Sequence, residues 1–152
     1  MRIVLDDLTG PEVRAMVSDH LADMRATSPP ESVHALSIAQ IHADAVTFWS
    51  VWDGEHLAGC GGLKALPGCE GELKSMRTAA RYRGRGVGTF MLAHLIEESR
   101  TRGYQRINLE TGSQDFFAPA RRLYARHGFV ECPPFGEYMA DPNSVFMCRD
   151  LT

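Results

Sequence analysis

The sequence predicts a single α/β domain, residues 1–152, built on a mixed β-sheet. Three observations carry that prediction. Glu72–Thr78 and Gln105–Thr111 read as strands on either side of an amphipathic helix, Val87–Arg102, and a strand-helix-strand unit of this length places two strands parallel. Asp53-Gly54, between two β-rich runs, marks an antiparallel hairpin, so the sheet is mixed. With 152 residues and 44% hydrophobic content, the chain can bury one core and has little left for a second.

Arg2–Leu5 reads as a short first strand. Thr9-Gly-Pro-Glu12 matches a capping box with Pro11 in the first helical turn, and Val13, Met16, Val17, His20, Leu21 and Met24 follow at helical spacing. His20 falls on that apolar face, which suits a core or rim histidine better than a ligand. Ser28-Pro-Pro-Glu31 offers a second capping box for a short helix carrying Val33 and Leu36, with His34 and His42 nearby. Val46–Trp52 and His56–Leu66 form the hairpin; Gly59, Gly61 and Gly62 in its return strand indicate a bulge or a close neighbour. After the loop Pro67–Gly71 and the strand Glu72–Thr78, the next helix aligns Val87, Phe90, Met91, His94 and Leu95 on one stripe. Gly103 suits its C-terminal turn. A last helix starts near Pro119, carries Leu123 and Tyr124, and stops at Gly128; Phe129–Cys132 and Ser144–Cys148 close the sheet.

A net charge of -3 provides no field for nucleic acid or an anionic membrane, and neither is expected as a partner. The N-terminus lacks the pattern of a signal peptide, and no apolar run approaches the roughly 18 residues of a membrane span. Cys60, Cys69, Cys132 and Cys148 show no metal-ligand spacing, so no metal is expected and the thiols read as reduced, in a cytoplasmic protein.

The chemistry concentrates in Arg81-Tyr-Arg-Gly-Arg-Gly-Val-Gly-Thr89. This loop opens a helix whose first N–H groups lack intrahelical partners and carry the positive end of the helix dipole. Gly84, Gly86 and Gly88 leave the backbone bare, and Arg81, Arg83 and Arg85 add positive charge, so a phosphate group is the ligand to expect. An NTPase loop would need a lysine after the glycines, and none is present. A dinucleotide fold would need G-x-G-x-x-G at the first strand. Here the glycines alternate and lie deep in the chain, although Glu110 stands roughly where a ribose-binding acid would.

Arg83-Gly-Arg-Gly86-Val-Gly88 instead resembles the Arg/Gln-x-x-Gly-x-Gly/Ala motif of the GNAT superfamily of acetyl-CoA-dependent N-acetyltransferases. Glu72–Met76 resembles that family's fourth strand, Ala120-Arg-Arg-Leu-Tyr124 with Gly128-Phe129 its A-x-x-L-Y…G-F motif, and Phe146–Leu151 its final strand. The resemblance implies an α+β fold: a mixed, mostly antiparallel twisted sheet of six to seven strands with about four helices, splayed between the fourth and fifth strands. It also implies acetyl transfer to a primary amine of a small molecule or peptide, by direct attack in a ternary complex. Met76, Arg77 and Thr78 would lie along the pantetheine arm, with the Met76 N–H as oxyanion donor. Backbone groups of Arg83, Gly84, Arg85, Gly86, Val87, Gly88 and Thr89 would hold the pyrophosphate. Tyr124 would protonate the leaving thiolate and Glu72 would serve as base, with Glu110 the alternative. Phe117 occupies a cofactor-contacting position that is often Asn in the family, so a side-chain hydrogen bond is not expected there.

A non-catalytic acyl-CoA-binding regulator and a nucleotide-dependent oxidoreductase are the other readings. The acceptor amine has no recognisable code; its walls are expected from the first two helices and the loop Pro133–Asp141. A homodimer is compatible with the sequence.

Overall fold

The computed structural model describes residues 1–151; Thr152, the last residue of the predicted domain, lies outside them. The chain forms β1 (Arg2–Leu5), α1 (Pro11–Thr27), α2 (Ile38–Ala43), β2 (Thr47–Asp53), β3 (His56–Leu66) and β4 (Glu70–Thr78). It continues through α3 (Val87–Thr101), β5 (Arg106–Gly112), α4 (Ala118–Arg126), β6 (Val130–Glu131) and β7 (Ser144–Asp150). Single 3-10 turns occur at Pro30–Ser32, Ala80–Tyr82 and Asp115–Phe117.

Among the described residues the strands form one sheet, ordered β1-β2-β3-β4-β5-β7-β6. The two ends of this sheet are antiparallel, and β4 and β5 join them as a parallel pair because α3 crosses over between them. That join is short: only Glu70–Glu72 pair with Arg106–Asn108. Asn108 clips it, donating from Nδ2 to Glu70 Oε1 at 2.9 Å and to the Gly71 carbonyl at 3.2 Å. Beyond Glu72 the two strands part, as the resemblance implies.

Two apolar layers cover the sheet. On one face Val87, Met91, Leu92, Leu95 and Ile96 of α3 pack with Leu63, Leu73, Ile107 and Leu109. On the other, Val13, Met16 and Val17 of α1 pack with Ile41, Phe48 and Cys60. The glycines of β3 explain the close seating of α3. A Cβ on Gly59 would meet Val87 Cγ1 at 2.8 Å, and one on Gly61 would meet Met91 Cγ at 3.0 Å. A bulge is present as well, since the β3–β4 register shifts between Cys60 and Gly62.

Several local expectations are corrected. Gly10, not Thr9, is the N-cap of α1 and makes no side-chain cap; the Thr9 hydroxyl is taken by Asp7 Oδ1 at 2.6 Å. Ser28 ends α1, and the segment after it makes only the 3-10 turn Pro30–Ser32 before Val33 turns extended at φ -88° and ψ 114°, where a second helix was expected. The capping box lies further on, at Ser37 and Gln40, opening a helix of six residues, too short to show a periodic pattern. Phe90 is 41% exposed, because the buried arc of α3 passes through Leu92 and Ile96 instead. β4 begins at Glu70 rather than Glu72, and β6 is only Val130–Glu131.

Candidate functional site

The parting of β4 and β5 creates the site. Ser75 adopts φ 55°, and the register jump leaves Ser75 and Met76 opposite Gly61 alone, so the second half of β4 bends away from β5. The opening is a cleft of about 630 Å³ whose banks are Leu73–Thr78 of β4 and Leu109–Gly112 of β5. Met76, Arg77 and Thr78, the expected pantetheine-side residues, all line it.

The glycine loop borders one end of the cleft, and its glycines serve different physical needs. Gly84 and Gly86 have φ of 74° and 85° with open space around a would-be Cβ, so left-handed backbone is what requires them. Gly88 sits under α4, where an added Cβ would meet Leu123 Cδ2 at 2.9 Å. Gly86 caps α3 without any side-chain hydrogen bond, so no side chain competes for the first amides of the helix. Arg83, Gly84, Gly86, Val87, Gly88 and Thr89 border the cleft; Arg85 does not. Its guanidinium lies 4.8 Å from the ring centre of Tyr82, with Arg81 at 5.4 Å. Tyr82 is almost fully buried and donates to Asp53 Oδ2 at 2.9 Å. Nothing in the spacing of this loop pointed to Tyr82, whose anchor is 29 residues away at the β2–β3 hairpin.

α4 forms the facing wall through Ala120, Leu123 and Tyr124. Phe117 also borders the cleft and covers the bare α-carbon of Gly112, where a Cβ would come within 2.2 Å of its ring. Arg121 Nη1 donates to the carbonyls of Gly112 at 2.5 Å and Gln114 at 3.1 Å, which ties α4 to the end of β5. The Tyr124 phenol is buried beside Glu110; burial first, and that carboxylate second, push its pKa up to about 12. The phenol therefore holds its proton throughout the neutral range.

The two carboxylates weighed as bases occupy different situations. Glu72 is 3% exposed, and its Oε2 accepts from the Tyr138 hydroxyl at 2.6 Å and from Lys74 Nζ at 3.2 Å. Glu110 lines the cleft, and its Oε2 is buried without a hydrogen-bond partner. Burial raises its pKa to about 7, with Lys74 opposing the rise and Glu72 adding to it. Ser113 and Asp115 take no place on the cleft wall, whereas His20 and His34 do. Burial, reinforced by Arg77, lowers His20 to about 4; burial and Lys74 lower His34.

Sequence reasoning passed over Lys74 and Tyr138. Lys74 was detectable, because strand alternation places it on the same face as Glu72. Tyr138 was not, since a loop residue reaches this site only through the tertiary fold. The Tyr138 ring stands edge-on to His34 at 4.9 Å, and Asp141 accepts from the Ser32 hydroxyl at 2.5 Å, tying the 133–143 loop to the segment after α1.

The sequence pattern of the acetyltransferase (GNAT) family matches residues 13–129, which span both banks of the cleft, the glycine loop and α4. The chain belongs to that family. Two acetyltransferase relatives extend the match over nearly the whole length. YsnE, an uncharacterized N-acetyltransferase of Bacillus subtilis (strain 168), is 52% identical over 99% of this chain and 100% of its own. YedL, an uncharacterized N-acetyltransferase of Escherichia coli (strain K12), is 49% identical over 98% of this chain and 94% of its own. The acetyltransferase fold extends to more distant proteins. A Bacillus subtilis acetyltransferase solved in complex with CoA superposes with a TM-score of 0.71, at 19% identity, over 99% of both chains. As a GNAT protein, the chain is an N-acetyltransferase. No helix among its described residues is long and apolar enough to cross a membrane.

Proposed function

We propose that this acetyltransferase moves the acetyl group of acetyl-CoA to a primary amine of a small molecule or peptide, by direct attack while both are bound. The observation that carries the reading is one continuous cleft bordered by the glycine loop, Tyr124 and Glu110. The residues suit the donor. The uncapped N-terminus of α3 with Gly84 and Gly86 offers amides to a pyrophosphate, and Arg83 adds charge. Met76, Arg77 and Thr78 border the path of an extended arm, and Phe117 contributes an apolar wall. The bound donor supplies an activated thioester; the rest is the work of this chain.

Glu110 takes a proton from the acceptor ammonium or amine, a role that its pKa of about 7 suits near neutrality. Glu72, the expected base, is occupied by Lys74 and Tyr138, so we assign it to holding those two groups. As the C–N bond forms, the Met76 N–H stabilises the carbonyl oxygen; as the C–S bond breaks, Tyr124 gives its proton to the sulfur. A phenol that remains protonated at neutral pH can act as this acid. The free state of Cys60, Cys69, Cys132 and Cys148 fits the cytoplasm as its place of action. Release of free thiol from acetyl-CoA across a panel of primary amines tests the reading. Amine-dependent release supports it, whereas cofactor binding without release from any amine favours a regulator of the same fold.

A further inference from the structure

We propose that the acceptor is an amine bearing a carboxylate within a few bonds of its nitrogen, of the α-amino acid type. Lys74 binds the carboxylate and Glu110 faces the amine, a proposal that rests on the acetyltransferase reading above.

Glu72 pairs with Asn108 in the parallel stretch, and side chains alternate, so Glu72, Lys74, Asn108 and Glu110 share one face of the sheet. The pairing stops there, leaving Lys74 and Glu110 on opposite banks of the opening, and both border the cleft. An ammonium has three N–H donors. Lys74 uses one toward Tyr138 Oη at 2.9 Å and one toward Glu72 Oε2 at 3.2 Å, which leaves a third without a protein acceptor among the described residues. Across the gap, Glu110 Oε2 is buried and has no donor.

The glycine loop and α4 bring Arg83, Arg122 and Arg126 to the cleft, whereas the charges nearest the strand opening are already matched. Arg77 pairs with Asp23 at 2.8 Å. Asp141 is held by the Ser32 hydroxyl at 2.5 Å and by the Asn143 N–H at 2.8 Å. Both Glu72 contacts above are internal. Of the charged side chains on the two strand banks, the groups left for an acceptor are therefore one cationic donor and one carboxylate oxygen across a single interstrand opening. A molecule carrying an amine and a carboxylate side by side satisfies both. A plain alkylamine satisfies Glu110 and leaves the Lys74 donor unmatched, and a site built to hydrogen-bond a group discriminates against analogues that lack it. Tyr138 and His34 roof the chamber, and Met24, Val33 and Ala35 leave an apolar wall for the acceptor's remaining carbons.

The test compares matched acceptors by free-thiol release from acetyl-CoA: alanine against ethylamine, phenylalanine against phenethylamine, and each amino acid against its amide. The expected result is a kcat/KM at least about tenfold higher for the carboxylate-bearing member of the preferred pair. Lys74→Gln, checked for folding by thermal melting, should abolish that preference, and Lys74→Arg should keep it. The inference is overturned if carboxylate-free members match the amino acids in the unaltered protein, or if Lys74→Gln slows both members alike. Absence of release with every amine overturns the acetyltransferase reading itself, an outcome distinct from turnover without carboxylate preference.

Discussion

The Tyr82 hydroxyl donates to Asp53 Oδ2 at 2.9 Å, joining the tip of the β2–β3 hairpin to the loop that opens α3. The ring beneath that bond has the guanidinium groups of Arg81 and Arg85 close to it, so the glycine loop rests on a side chain fixed by the neighbouring hairpin at the same end of the sheet, where Gly59 pairs with Thr78. Tyr82→Phe removes the bond and keeps the ring. A net contribution of about 1 kcal/mol corresponds to a rise of roughly fivefold in KM for acetyl-CoA. Steady-state kinetics should show this with kcat changed far less, since Tyr82 does not touch the reacting atoms.

Glu110→Gln should lower kcat/KM for the acceptor by roughly 10²–10⁴. In the unaltered protein the rate should rise with pH through about 7 as Glu110 loses its proton, and the variant should lack that limb. A pH–rate profile that keeps the limb in the variant assigns the base elsewhere.

Stability should follow the same carboxylate with the opposite sense. Its folded pKa of about 7 lies above the ordinary 4.5, so the folded state binds the proton more tightly. The resulting stabilisation is complete below 4.5 and is lost as pH rises through 7. His20 acts from the other side: its folded pKa of about 4 lies below 6.5, so its contribution is present above 6.5 and is lost as pH falls through 4. Melting temperatures measured from pH 4 to 8 should therefore decline toward both ends, and Glu110→Gln should flatten the decline between 5 and 8.

Tyr124→Phe should reduce the single-turnover acetyl-transfer rate by roughly 10²–10⁴ while the Kd for acetyl-CoA stays within a few-fold. The ring and its packing against Phe129, centroids 5.8 Å apart, survive the change, so the lost proton is what the rate reports. An unaltered single-turnover rate removes Tyr124 from proton transfer.

Gly112→Ala should destabilise by about 1–3 kcal/mol, because a Cβ there meets the Phe117 ring at 2.2 Å. In denaturant melts the double variant Gly112→Ala/Phe117→Ala should lose less than the sum of the two single variants, since the ring clash is absent once buried Phe117 is truncated. Additive losses show that the two residues do not share this contact.

Much of the fold was legible because it is written in local pattern. Asp53-Gly54 between β-rich runs, the helical spacing of Val87, Met91 and Leu95, and Gly103 after them all report near-neighbour geometry, and the structure contains each. Errors arose where a local signal had a competitor. The Thr9 hydroxyl found Asp7, and the capping box expected at Ser28 forms instead at Ser37 and Gln40.

The sequence by itself determined the family, the order of the elements and the character of the glycine loop, since left-handed turns at Gly84 and Gly86 and a helix start are properties of adjacent residues. Only the tertiary structure decided which carboxylate is free. Glu72 and Glu110 are both acids on neighbouring strands, and their difference comes from Tyr138, 66 residues beyond Glu72, and from a parallel pairing that ends after three residues. Burial and partnership are sums over distant segments. They emerge when the chain closes, and here they leave Lys74 and Glu110 facing one opening while Glu72 is occupied.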